Sequence, residues 1–525
     1  MKRFLSKLFV LALLATSATA FAKMPPTPTV HIQNGALRGV VQDGMHAYLG
    51  IPYAKPPVGE LRWRAPQPVT PWQNVFKAER YGQQCSQNND LGAFATAGGS
   101  EDCLTLNVFV TPKNADKNAK RPVMVWIHGG SLFVGGASDY NPRKLAEQGD
   151  AVVVTINYRL GIFGFFAHPE MQGKGPMANF GLLDQQLALD WVQQNIAQFG
   201  GDPNDVTIFG ESSGGNSVVA QMASPWSKGK FQNVIAMSGA AIVRRFPAFG
   251  APRPLDAAQK VGQDFAAKMG CSGNNQLDCL RQLPATEILA NQTPFLINQV
   301  IIDGDYMPEH PADIIQSGKA NKVNFVNGDT LDEGSFFVGF PENETGKIIN
   351  ATDYRNAVKE QFGTALGKKV LQEYPVENYL TPSEALARVL GDSLNSCPTE
   401  ALNKMAAGSL PTYGYEFADR TAPSYLKPTS FALGAAHTYE LPYIFPGFHG
   451  GKAGLPVQLN SMQEKLSDEM VKYWTSVSRA DQWQGWNAYN PQKPNYLTFV
   501  LPAAVETHRF SELHHCEFWD KSGLY

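Results

Sequence analysis

Short runs crowded with valine and isoleucine, none alternating strictly with polar residues, recur along this chain and constrain its fold more than any other feature. They occupy residues 123–127, 152–156, 206–209, 234–237 and 323–326, with an aromatic-rich run at 412–417. A strand covered on both faces has no reason to alternate, so these runs read as buried parallel strands. Between the second and third, Leu183, Leu187, Trp191 with Val192, and Ile196 form one apolar stripe, which predicts a helix over residues 182–199. Gly200-Gly201-Asp202-Pro203 then stops it. Strands alternating with helices predict an α/β fold: a central, mostly parallel sheet with helices on both faces, joined by right-handed crossovers. Long excursions are expected near residues 60–100 and 250–400. Nothing after residue 24 reads as a linker, a low-complexity tract or an internal repeat, so residues 24–525 are expected to form a single domain.

Composition narrows the function classes. With 43% hydrophobic and 17% charged residues among 525, a large core forms and global disorder is excluded. Lysine and arginine (44) nearly balance aspartate and glutamate (47). The basic footprint that nucleic acid or an anionic membrane requires is absent. The first 22 residues are set apart: Lys2, Arg3 and Lys7 precede an apolar run over residues 8–14, and small residues follow at Ala18, Ala20 and Ala22. This is the pattern of a signal peptide, too short to span a bilayer, so residues 1–22 are expected to be removed and no transmembrane anchor is expected. Export into the periplasm or beyond the cell follows. The even set of cysteines, Cys85, Cys103, Cys271, Cys279, Cys397 and Cys516, fits an oxidising compartment. None forms CxxC, which argues against structural zinc.

The sharpest chemical signal is Gly210-Glu211-Ser212-Ser213-Gly214, placed directly after the run at 206–209 and before an expected helix through Ser217, Val218, Val219 and Met222. A serine at such a strand-to-helix turn is strained, and glycines two residues to either side keep side chains out of the turn. The geometry lifts the serine oxygen above the sheet and marks Ser212 as a candidate nucleophile. Upstream, His128-Gly129-Gly130-Ser131 follows the run at 123–127. Its glycines would let backbone N–H groups approach a developing oxyanion. His128 precedes the serine within this loop, and its expected role is to hold the loop by hydrogen bonding.

Phe199-Gly200-Gly201, continued through residues 206–214, resembles the active-serine signature of the type-B carboxylesterases, the esterase, lipase and cholinesterase family of the α/β-hydrolase fold. Residues 101–108, Glu-Asp-Cys-Leu-Thr-Leu-Asn-Val, resemble its second signature, and Asn157-Tyr158-Arg159-Leu160-Gly161 an intervening block. The resemblance runs from about residue 30 to the C-terminus. It implies a serine ester hydrolase with the order Ser…Glu…His. Asp332-Glu333-Gly334 resembles the family's acid motif, which maps the acid to Glu333; Asp329 and Asp332 are rivals on chemistry alone, otherwise explained by loop solvation and turn hydrogen bonds. Residues 434–443, around His437, resemble the histidine loop. The pair His514-His515 beside Cys516 could suggest a metal, but consecutive histidines are more often surface residues. The resemblance thus implies that His437 takes the Ser212 proton, that Glu333 fixes the imidazole tautomer, and that the N–H groups of Gly130, Ser131 and Ser213 form the oxyanion hole. Glu211 reads as a buried hydrogen-bonding support. No cofactor or metal is expected; the partner is a small carboxylic ester.

Ser131 and Ser213 stand where many relatives carry glycine or alanine, but both would act through backbone. The loop between Cys85 and Cys103 lacks the tryptophan with which cholinesterases hold choline and offers only Phe94, which argues against that activity. Two of the expected disulfides, Cys85–Cys103 and Cys271–Cys279, join cysteines close in sequence; that leaves Cys397–Cys516, and three such bridges resemble the animal cholinesterase pattern. Free thiols at Cys397 and Cys516 are the alternative. The sequence leaves two other functions open: a non-catalytic cell-surface interaction protein, although all three triad residues are present, and a lipid-interface lipase, although residues 60–100 hold no strongly apolar, amphipathic lid.

Overall fold

A computed structural model describes residues 24–88, 96–114, 116–173, 175–239, 242–244, 251–293, 299–450 and 454–525. The expected leader, residues 1–22, and Phe94 lie outside the described residues. The main sheet has 11 strands. In chain order these are β1 (Val40–Gln42), β2 (Met45–Pro52), β3 (Thr105–Val110), β4 (Arg121–Ile127), β5 (Val152–Ile156), β6 (Gly201–Glu211), β7 (Asn233–Met237), β8 (Asn324–Thr330), β9 (Thr412–Phe417), β10 (Tyr496–Phe499) and β11 (Val505–Thr507). Across the sheet they lie in the order β11-β10-β9-β8-β7-β6-β4-β5-β3-β2-β1. From β10 to β5 every neighbouring pair is parallel; β3, β2 and β1 at one edge and β11 at the other add antiparallel pairs. The fold is therefore α/β with a mixed, mostly parallel sheet, as the runs implied.

The absence of alternation in those runs has its cause in two cores. Along β4, Val123, Val125 and Ile127 enter the core on one face, while Met124 and Trp126 enter the core on the other. β5 divides in the same way, Val152, Val154 and Ile156 against Val153. The expected helix forms as α1 (Phe180–Asn195), followed by one tighter turn over Ile196–Phe199. Gly200, at φ +86°, ends it in the left-handed region that glycine enters without steric cost. Helix α2 (Ser213–Ala223) packs beside α1, joined by Gln185 Nε2 donating to Ser217 Oγ (3.1 Å) and Gln221 Nε2 to Leu182 O (2.9 Å).

The family-like blocks explain themselves as ties between elements. Glu101 binds the half of the guanidinium of Arg62 that faces it through two hydrogen bonds of 2.6 and 2.7 Å, and Arg159 is gripped by buried Asp184 in the same two-pronged way. The disulfides are Cys85–Cys103, Cys271–Cys279 and Cys397–Cys516, and no cysteine among the described residues is free. Among the described residues no helix is long and apolar enough to cross a membrane.

Candidate active site

Strand β6 ends at Glu211 and helix α2 begins at Ser213, so one residue, Ser212, makes the turn. Its φ of +59° is one that a side-chain-bearing residue rarely adopts. Met237 O holds it there by accepting from Ser212 N at 2.8 Å. Both flanking glycines are required by close packing rather than by flexibility. A Cβ on Gly214 would lie 2.1 Å from Ile127 O, and one on Gly210 would lie 2.6 Å from the same oxygen. Any larger residue would push α2 away from the C-terminal end of β4.

That end of β4 carries the glycine loop. Gly130, Ser131 and Leu132 all have positive φ, two of them without glycine's freedom. The neighbours hold this shape. Leu132 N donates to Ser213 Oγ (3.0 Å), so the Ser213 side chain fastens the loop to the start of α2. Tyr158 OH donates to His128 O (2.7 Å) while its ring stacks on the imidazole. Burial pushes the His128 ring down to about 4, against the opposing pull of the Gly129 carbonyl, so the imidazole is neutral and its Nδ1–H can donate to Gly129 O (2.8 Å). His128 is thus a loop holder, as its place in the sequence implied.

Glu333 begins helix α3 (Glu333–Thr345) just past β8. Its Oε2 lies 2.6 Å from His437 Nδ1; its Oε1 accepts from Ser238 Oγ (2.5 Å) and Thr330 N (2.7 Å). Burial alone would raise this carboxyl's pKa. The His437 ring and the three hydrogen bonds outweigh burial and hold it below the ordinary carboxylate value. His437 is 3% exposed, with the Phe337 ring 5.0 Å from it.

The other side of the ring differs from expectation. His437 Nε2 lies 3.1 Å from Glu211 Oε1, without hydrogen-bond alignment, and no hydrogen bond joins it to Ser212 Oγ. Glu211 and Glu440 are both buried, and neither oxygen of Glu440 finds a hydrogen-bond partner among the described residues. Burial first, then Glu440 and Glu333, raise Glu211 well above the ordinary range; burial and Glu333 do the same to Glu440. Glu211 and Glu440 thus share one buried region with Glu333, and both are biased towards the neutral form while Glu333 is biased towards the charged one.

The rival acids are not solvated loop residues. Asp329 lies on β8, which extends further than the apolar run indicated, and it is fully buried, with no well-aligned partner for either oxygen among the described residues. Asp332 accepts from Ala435 N (3.0 Å) and from Arg420 (2.7 and 2.8 Å), while its own N–H donates to Ala435 O (2.9 Å). It staples the histidine loop beside Glu333. The surface reading of the histidine pair also fails for His514, which is completely buried between Asp392 (2.7 Å) and Glu416 (2.9 Å). Only His515 is partly exposed, paired with Glu373. Sequence reasoning missed Ser238, Glu440, Asp332 as a staple, and buried His514. Glu440 stands three residues past His437, but no local pattern says that a glutamate there is enclosed.

The chain matches the model of the carboxylesterase family over residues 26–519. It is 34% identical to the para-nitrobenzyl esterase of Bacillus subtilis (strain 168), over 92% of this chain and 97% of that protein. It is likewise 34% identical to the human cocaine esterase (91% and 87%) and to the acetylcholinesterase of Bungarus fasciatus (94% and 86%). A solved PNB esterase structure superposes with a TM-score of 0.78 at 31% identity, covering 93% of this chain and 99% of the other.

Proposed function

The chain belongs to the carboxylesterase family of carboxylic-ester hydrolases, and from that premise we propose that it is an exported esterase in which Ser212, His437 and Glu333 act as nucleophile, base and acid. The observation that carries the assignment is the 2.6 Å contact between His437 Nδ1 and Glu333, set beside a serine held at φ +59° on the strand-to-helix turn. Glu333 fixes Nδ1 as the protonated nitrogen, which leaves the Nε2 lone pair for the Ser212 hydroxyl. In this structure Nε2 faces Glu211, so a small ring movement precedes proton transfer; such bonds often close only when substrate is bound. Burial and the neighbouring Glu440 and Glu333 bias Glu211 towards its neutral form, which disfavours a second anion beside the imidazolium.

Ser212 attacks the ester carbonyl as His437 accepts its proton. The N–H groups of Gly130, Ser131 and Ser213 receive the oxyanion, His437 returns the proton to the leaving alcohol, and water cleaves the acyl-enzyme through the same base. Export is supported by the three disulfides and by the leader pattern of residues 1–22. The test is covalent labelling with an activated phosphonate followed by peptide mapping. Labelling of Ser212 alone, lost on His437→Ala, is the expected result; stoichiometric labelling elsewhere would overturn the assignment.

A further inference from the structure

We propose that Gln87 is a positioning residue for ester hydrolysis, linking the Cys85–Cys103 disulfide to the oxyanion loop. The inference deepens the reading of Gly130 and Ser131 above and rests on it.

Gln87 is 1% exposed, and each of its polar groups is used. Its side-chain amide grips one residue from both sides: Nε2 donates to Gly135 O (2.9 Å) and Oε1 accepts from Gly135 N (2.8 Å). Nε2 also donates to Cys85 O (3.0 Å). The backbone of Gln87 pairs with Gly98 in both directions (3.0 and 2.9 Å), which closes the two limbs of the loop spanned by Cys85–Cys103. The amide therefore joins a covalently closed loop to a single glycine.

That glycine lies against the two residues that precede the expected oxyanion donors Gly130 and Ser131. Gly135 has φ +105°, and a Cβ on it would lie 2.7 Å from His128 Nδ1 and 2.9 Å from Gly129 O. Gly130 O accepts from both Phe133 N (3.1 Å) and Val134 N (3.0 Å), so residues 130–134 form one tight turn that ends at Gly135. A second tie reaches the same stretch. Asn157, at the end of β5, accepts from Ala137 N (2.9 Å) and donates to Gln83 O (2.9 Å). The turn is thus held at its C-terminal end from the sheet and from the disulfide loop, and only the second hold passes through Gln87. A backbone with consecutive positive φ values relaxes when such a hold is removed. A donor displaced by about 1 Å can cost on the order of a hundredfold in rate.

The experiment uses the full-length mature enzyme with Gln87→Met, which removes the amide, and Gln87→Glu, which keeps the acceptor for Gly135 N. Below the melting transition, kcat should fall roughly ten- to a hundredfold in Gln87→Met with KM little changed, and Gln87→Glu should recover part of the loss. The discriminating readout is the infrared stretch of a 13C-labelled acyl-enzyme carbonyl, which moves to lower frequency when oxyanion donors polarise it. It should be lowered in the wild type and return towards the denatured value in Gln87→Met. A lower melting temperature with kcat and carbonyl stretch unchanged would overturn the proposal, leaving Gln87 as a structural tie. An unshifted carbonyl in the wild type would instead overturn the oxyanion reading itself, and the proposal with it. Opening the loop with Cys85→Ser and Cys103→Ser should lower kcat in the same direction, and that loss should not add to the loss in Gln87→Met. Full additivity would overturn the link to the disulfide.

Discussion

His437 and His514 are both buried and both lie between two carboxylates, one beside Ser212 and the other under the C-terminal segment. Their surroundings separate them. Around His514 both contacts are hydrogen bonds, at 2.7 and 2.9 Å, and no solvent reaches the ring. Burial opposes its charge, but Asp392 and Glu416 outweigh burial and push it up to about 10. Tyr374 OH donates to the far oxygen of Asp392 (3.0 Å) and its phenolic oxygen accepts from Trp519 Nε1 (2.7 Å), so the imidazolium is the centre of a satisfied network. Around His437 only the Glu333 side is a hydrogen bond; the other nitrogen faces a carboxyl that keeps its own proton, next to the strained serine. A histidine locked as a cation serves structure. One with an unengaged nitrogen is free to exchange a proton, which is what the proposed chemistry needs.

The strongest way to break this contrast is to remove each ring. His437→Ala and Ser212→Ala should each abolish burst release from an activated aryl ester in a folded protein, with losses approaching about 10⁶-fold in kcat, because triad members act as a unit. Substantial turnover by folded Ser212→Ala would refute the assignment. Next in size, Glu333→Gln keeps the shape but leaves the histidine tautomer unsupported, a change that costs about 10⁴-fold in a related triad. Asp332→Asn should cost much less, acting through the looser histidine loop. Steady-state rates for the two variants decide the ranking, and the reverse order would move the acid by one residue.

His514→Gln should do the opposite of His437→Ala. It leaves Glu416 buried without its cation and Asp392 with only the more distant Arg388 (3.6 Å), so stability should fall by about 3–5 kcal/mol, while kcat in the protein that remains folded changes little. Denaturant melts alongside active-site-titrated rates check both halves. The pH dependence sharpens the same point. A histidine raised from 6.5 to about 10 on folding contributes stability that is complete below pH 6.5 and is lost as pH rises towards 10. The wild type should therefore weaken across that interval, and His514→Gln should lack this part of the slope. Smallest of all, Glu211→Gln replaces a carboxyl that already holds its proton with a neutral isostere. It should lower kcat by less than about tenfold, the scale of one neutral hydrogen bond. A loss comparable to that of Glu333→Gln would show that Glu211 works as an anion.

Much of the fold was legible because its signals are local. The runs at residues 123–127 and 152–156 became β4 and β5, and the serine turn could be read from five residues because strand, turn and helix are adjacent and each flanking glycine answers to a clash with β4. The assignments of Glu333 and His437 came from motif resemblance, since nothing in the spacing of two residues 104 apart shows that they meet. Asp329 was read as a loop residue because polarity rises after Val326; β8 nevertheless continues to Thr330, and its pairing with β9 buries Asp329 opposite Glu416. His514 carries no local sign of enclosure, because a histidine pair reads as surface wherever it stands.

The sequence by itself determined where strands, helices and turns would form, since apolar runs, stripes and glycines act over a few residues. Only the tertiary structure decided which polar groups would be buried together. Asp392 sits in a wide helical turn, Asp392–Ser396, and meets His514 across 122 residues; Glu416 comes from β9, and Glu440, far along the chain, raises the pKa of Glu211. The physical reason is that the protonation and role of a carboxyl or an imidazole depend on desolvation and on charges within a few ångströms, and packing sets both.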